Sequence, residues 1–135
     1  MAANVIVDTG FLVALLIRRE NRHRWARAQL PHLPPPWETC EAVLSEAFYL
    51  LGASGSKLAA LLQRRAVVCS FHVGTEISAP LKLMAKYADV PMSFADACLV
   101  RMTEVLADPI LLTLDSHFRI YRRRGNEPIP CVIPY

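Results

Sequence analysis

Nothing in this chain is arranged for sulfur or imidazole chemistry. Cys40, Cys69, Cys98 and Cys131 are scattered with no C-x-x-C spacing, and His23, His32, His72 and His117 are as dispersed, so no zinc motif is visible. The cysteines read as reduced core thiols rather than a disulfide framework. Long apolar runs are missing as well. No uncharged stretch approaches the roughly 18 residues of a membrane-spanning helix. The apolar segment after Asp8 has no basic flank ahead of it, which argues against a secretion leader. These absences predict a cytoplasmic protein with no membrane attachment. Internal repeats and low-complexity tracts are absent too.

What is present suits a small α/β enzyme. With 135 residues and 53% hydrophobic content, the chain reads as one domain over residues 1–135, long enough to bury roughly two-thirds of its unfolded surface. The mean hydropathy of +0.27 fits strands covered on both faces. Apolar runs predict strands at 4–8, 66–71, 110–114 and 131–133. Helical spacing predicts helices at 10–17, 21–30, 39–51, 57–65, 76–87, 93–107 and 116–123, with Pro34-Pro35-Pro36 as a breaker. Strand and helix alternate throughout. The expectation is a three-layer α/β/α sandwich with a mostly parallel central sheet.

Four acids stand where a carboxylate has little structural reason to be. Asp8 closes the run Asn4-Val5-Ile6-Val7, and Asp115 closes Ile110-Leu111-Leu112-Thr113-Leu114, which aims both at the strand edge where open parallel sheets gather ligands. Glu46 has Ala42, Val43, Tyr49 and Leu50 three and four positions away, a largely apolar helix face with no basic partner. Glu41 has the more mixed and wetter surroundings of a helix start. Asp96 is flanked at the same spacings by Met92, Ser93, Leu99 and Val100. A buried ionised carboxylate is costly unless it is paired or coordinates a cation.

Ordinary explanations compete for three of these acids. Asp8 and Asp115 are also placed to cap helices, and Asp96 stands three after Ser93 as in a capping box. His117, two after Asp115, either faces the site or is a plain first-turn residue of the helix that follows. Glu46 has no capping role. The conjunction of two strand-end aspartates with two helix-borne acids makes a hard oxygen donor set suited to Mg²⁺ or Mn²⁺.

Arginine outnumbers lysine heavily and is bunched: Arg18, Arg19, Arg22, Arg24 and Arg27, then Arg64 and Arg65, then Arg119 and Arg122 to Arg124. Guanidinium groups suit phosphate contact. For Arg122 to Arg124, charge at a helix C-terminus is an equal reading. Basic flanks around an acidic centre fit a polyanion held over metal ions.

The stretches VIVDTGFLVALL at 5–16, VLSEAFYLL at 43–51, PMSFADACLVRM at 91–102 and LLTLDSHF at 111–118 resemble, in order and spacing, the four motifs of the PIN domain. The resemblance spans essentially the whole chain and is strongest toward the small single-domain bacterial kind, whose best-known members are VapC-type toxins of toxin-antitoxin modules. It implies a metal-dependent endoribonuclease in which Asp8, Glu46, Asp96 and Asp115 are the catalytic and metal-binding acids, with Mg²⁺ or Mn²⁺ as cofactor and RNA as substrate. A homodimer and a small antitoxin protein are the partners it suggests. Thr113 matches a hydroxyl often found in the last motif, and Ser93 stands where some relatives carry another acid. Two rivals are a phospho-aspartyl enzyme and a non-catalytic PIN scaffold binding RNA or a protein. The first needs a second Asp where Gly10 stands; retention of all four acids argues against the second.

Overall fold

In the computed structural model, which describes residues 3–135, the first apolar run forms the middle of the sheet. Strand β1 (Asn4–Val7) pairs on one side with β2 (Trp37–Thr39) and on the other with β4 (Pro109–Leu112). Beyond them lie β3 (Val67–Cys69) and β7 (Cys131–Val132), so the order is β3-β2-β1-β4-β7, and every pairing is parallel. Ile6 and Val7 are wholly buried, as a central strand covered on both faces requires. The layers are those of an α/β/α sandwich.

Helix α1 (Thr9–Leu16) starts directly after β1 because the Asp8 carboxylate accepts the backbone N–H of Phe11. It buries Phe11, Leu12 and Ala14, with the Phe11 ring meeting Trp25 and Trp37 edge-on at 6.2 and 5.5 Å. Against α1 pack α2 (His23–Ala28), α3 (Glu41–Leu51) and α4 (Gly55–Gln63). A short α5 (Val73–Glu76) leads to α6 (Ser78–Lys86), which packs on α7 (Phe94–Val105). These elements contribute to one continuous apolar core except β7, α5 and α6, which reach it through half-buried side chains such as Val132, Val73 and Leu83.

Several predicted elements change. Strand β2 lies in a stretch read only as a breaker and a helix start, because Trp37-Glu38-Thr39 has no apolar run; Trp37 and Thr39 alternate into the core across a half-buried Glu38. The predicted helix 21–30 shortens to the six residues of α2, and the predicted helix 76–87 is essentially α6, with the short α5 ending just ahead of it at Glu76. The predicted helix 116–123 is instead a 3-10 turn (Ser116–Arg119) followed by a hairpin of β5 (Arg122–Arg123) and β6 (Glu127–Pro128). Arg124 and Gly125, both at positive φ, make its turn. Arg123 is therefore a buried side chain, donating to the Thr103 carbonyl and the Glu127 carboxylate, rather than helix-end charge.

Candidate active site

Strands β1 to β3 step outward in one direction and β4 and β7 in the other, so the chain reverses its order between β1 and β4. A sheet of this kind opens a crevice at the carboxyl ends of the two strands that flank the reversal. Asp8 follows the last residue of β1, and Asp115 comes shortly after β4, which puts them on the two sides of that crevice. Helices α3 and α7 touch each other and carry Glu46 and Asp96 to the same place. All four acids line one cleft of about 400 Å³, together with Thr9, Gly10, Val43, Ala95, Leu99 and Leu114.

Each aspartate carboxylate is held by hydrogen bonds, through both oxygens in Asp8 and through one in Asp96 and in Asp115. Asp8 accepts from Phe11 N–H through Oδ1 at 3.0 Å and from the Thr113 hydroxyl through Oδ2. Asp96 and Ser93 form a capping box at the start of α7: Ser93 N–H donates to Asp96 Oδ2 at 3.1 Å and Asp96 N–H to Ser93 Oγ at 3.0 Å. Asp115 Oδ1 accepts from His117 N–H at 2.9 Å and lies 2.7 Å from His117 Nδ1. The capping readings and the site readings thus describe the same side chains. One oxygen serves the helix start while the carboxylate still faces the cleft, and His117 is both a first-turn residue and a neighbour of the site.

Glu46 departs from its expected surroundings. Its helix face is apolar in sequence, yet Tyr49 and Leu50 on that face are themselves exposed, and Glu46 is exposed with them. What ties it to the site is the Thr9 hydroxyl, which donates to Glu46 Oε2 at 3.2 Å and lies 3.4 Å from the Val43 carbonyl oxygen. The only signal Thr9 carries in the sequence is its place next to a strand-end Asp. Tyr121 carried none. Its ring is buried, and its hydroxyl donates to the Pro91 carbonyl at 2.6 Å and reaches within 3.5 Å of Asp96 Oδ2.

The electrostatics are led by burial, with carboxylate crowding second. Burial pushes the Asp8 carboxyl up to about 6; the hydrogen bonds from Thr113 and Phe11 offset part of this, and the charges of Asp96 and Asp115 add to it. Asp96 is raised too, first by burial and then by Asp115 and Glu46, against the hydrogen bonds of Ser93. Among the described residues no lysine or arginine pairs with any of the four acids. Nor are any three Asp, Glu, His or Cys side chains gathered tightly enough to enclose an ion as they stand. The acids face a shared space and repel across it. Four oxygen donors with a net excess of negative charge are nevertheless a fitting lining for a hydrated divalent cation.

Of the four cysteines, all free, Cys40 and Cys98 are buried as expected, but Cys69 is exposed at the end of β3 and Cys131 is half-buried. No helix among the described residues is long and apolar enough to cross a membrane.

A family model described as the PIN domain matches residues 5–124. The fold is similar to the crystal structure of VapC20 from Mycobacterium tuberculosis, described as a sarcin-ricin loop cleaving toxin, with a TM-score of 0.70 and 22% identity over 84% of this chain and 91% of that one. No curated protein sequence matches the chain.

Proposed function

The chain belongs to the PIN domain family, and from that premise we propose that it is a divalent-metal-dependent endoribonuclease, the toxin of a type II toxin-antitoxin module. The observation that carries this reading is the single cleft lined by Asp8, Glu46, Asp96 and Asp115 at the point where the strand order reverses. The likeness to a toxin described as cleaving the sarcin-ricin loop supports the choice of RNA. On this reading the protein works in the cytoplasm on RNA and is restrained by a small antitoxin protein.

Asp8 and Asp96 would hold Mg²⁺ or Mn²⁺, with Glu46 and Asp115 completing the site. The ion supplies charge neutralisation for the acids and Lewis acidity toward a phosphodiester. The protein's own part is positional. Thr113 and Phe11 fix the Asp8 carboxylate, the Ser93 box fixes Asp96, and Thr9 draws Glu46 toward the cleft. No covalent nucleophile is called for.

The metal and the reaction can be tested separately. Mn²⁺ should raise the melting temperature of the wild type but not of Asp96→Asn, and Asp96→Asn should lose more than about 100-fold in RNA cleavage, beyond the 10–100-fold typical of a lost outer-sphere partner. A variant that cleaves at the wild-type rate refutes the assignment. Growth arrest on expression, relieved by a small protein encoded next to the gene, would separate a toxin from a general nuclease.

The partners include a second copy of the chain. Phe48, Tyr49 and Leu50 are 38%, 85% and 61% exposed at the end of α3, an apolar strip that association would cover.

A further inference from the structure

Beside the acidic cleft, Tyr135 is exposed yet held at three points. Its hydroxyl donates to the carbonyl oxygen of Leu114 at 2.5 Å, and Leu114 both lines the cleft and precedes Asp115. Arg119 donates a guanidinium N–H to the main-chain oxygen of Tyr135. The guanidinium carbon of Arg22 lies 4.7 Å from the centroid of the Tyr135 ring. More than half of the residue's surface, 55%, remains open to solvent.

A tyrosine with that much exposure usually spreads over several rotamers and must lose that freedom when it binds something. Here the freedom is already lost, because both ends of the residue are hydrogen-bonded. Its flat surface is backed by an arginine, and guanidinium planes and aromatic rings both stack nucleobases. The position matters as much as the chemistry. Four carboxylates repel a polyanion wherever a bound cation does not offset them, so the fringe of the cleft is where protein cations can add attraction for RNA, and Arg22 and Arg119 are cationic groups held on that fringe through Tyr135.

We propose that Tyr135 and Arg22 form a stacking platform for one unpaired nucleobase next to the cleavage point, with Arg22 and Arg119 meeting the adjoining phosphates. The proposal rests on the ribonuclease reading of the cleft and narrows it. Bases in a duplex are already stacked on their neighbours and do not reach the ring, so the platform selects unpaired RNA.

Binding should be measured by fluorescence anisotropy in the Asp96→Asn background, which prevents cleavage during the titration. Three probes serve: a labelled single strand of about ten nucleotides, a single strand of equal length whose central residues are abasic, and a duplex. With Tyr135 present, the base-bearing strand should bind roughly ten-fold more tightly than the abasic one, given the strength of base–aromatic stacking. Tyr135→Ala should erase that difference and leave the abasic strand's affinity nearly unchanged. Tyr135→Phe, which keeps the ring but frees it from the Leu114 carbonyl, should keep part of the base preference and lose the share that comes from the fixed ring. The proposal is overturned if Tyr135→Ala keeps the base preference, if it weakens base-bearing and abasic strands equally, or if the parent binds no RNA. A base preference that depends on Tyr135 in a wild type that cleaves nothing with Mn²⁺ would keep the platform and remove the nuclease reading. Cleavage with no such preference would do the reverse.

Discussion

Asp8 does two jobs with one carboxylate, and the cost of the arrangement is visible in its protonation. Its folded-state value of about 6 lies above the ordinary 3.8, so the native state binds the proton more tightly than the unfolded chain does. Stability therefore falls as pH rises from about 4 to about 6, by roughly 3 kcal/mol if the whole shift is expressed, and is flat above that. Asp8→Asn removes the penalty. Urea melts should show the variant level with wild type near about pH 4 and more stable near about pH 7.5; an offset that does not change with pH would mean that Asp8 is not the strained group. A divalent cation in the cleft favours the same ionised carboxylate that burial and the neighbouring acids disfavour, so any stabilisation by Mn²⁺ should be larger above about pH 6 than below it. The two glutamates of α3 separate at this scale as well. Glu46 lines the cleft and is engaged by Thr9, whereas Glu41 does not line it. In a cleavage assay Glu46→Gln should lose activity while Glu41→Gln stays close to wild type, and equal losses would reassign the acid.

Helix starts are the elements that aim the site. Asp8, Asp96 and Asp115 each lie at the beginning of a helical segment, where the chain turns out of extended backbone and a carboxylate satisfies N–H groups that have no partner within the helix. For α7 the capping box fixes the helix start and the direction of Asp96 together. Ser93→Ala removes the hydroxyl that accepts Asp96 N–H, which should cost about 1 kcal/mol in a denaturant melt. Cleavage should fall as well, since Asp96 is freed from one side of its frame. Ser93→Thr keeps the hydroxyl and should recover both; activity that stays low while stability recovers would mean that the box does not orient the carboxylate. The elements read least well, β2 and the segment from 116 to 123, were short or irregular. A three-residue strand is too brief to show a period, and the hairpin is held by a buried Arg123 reaching Thr103 on α7, a contact between residues far apart in the chain.

Over the whole molecule, the exposed surface includes a group of arginines and a strip of apolar side chains. Arg18, Arg19, Arg22, Arg24 and Arg27 are all exposed, so the first arginine group is available for phosphate contact, while Arg123 of the last group is buried. Neutralising Arg22, Arg24 and Arg27 together should weaken RNA binding and lower the steepness of its salt dependence by as much as about three phosphate contacts. An unchanged slope would return these side chains to the role of a solvated face. The apolar strip Phe48, Tyr49 and Leu50 bears on assembly. Light scattering at micromolar concentration should give twice the 15.1 kDa of the single chain. Tyr49→Glu should shift the mass toward the monomer without changing the far-ultraviolet spectrum, and a wild type that is monomeric throughout would exclude the dimer.

Local order along the chain was enough to reveal the strands β1 and β4, the helices α1, α3 and α7, and the acids at their ends, because burial imposes a period on apolar residues and turns impose a residue type. The sandwich followed from the alternation of those elements. Tertiary structure alone decided which acids share a space and on what terms. That Asp8 is buried, Glu46 exposed and Thr9 its tether depends on how α3 and α7 pack above the reversal between β1 and β4, and no window of sequence contains that packing. The same holds for Tyr135. Its place against Leu114 comes from a parallel edge strand β7 next to β4, which carries a distant residue to the rim of the cleft through hydrogen bonds between groups that have no periodic signature.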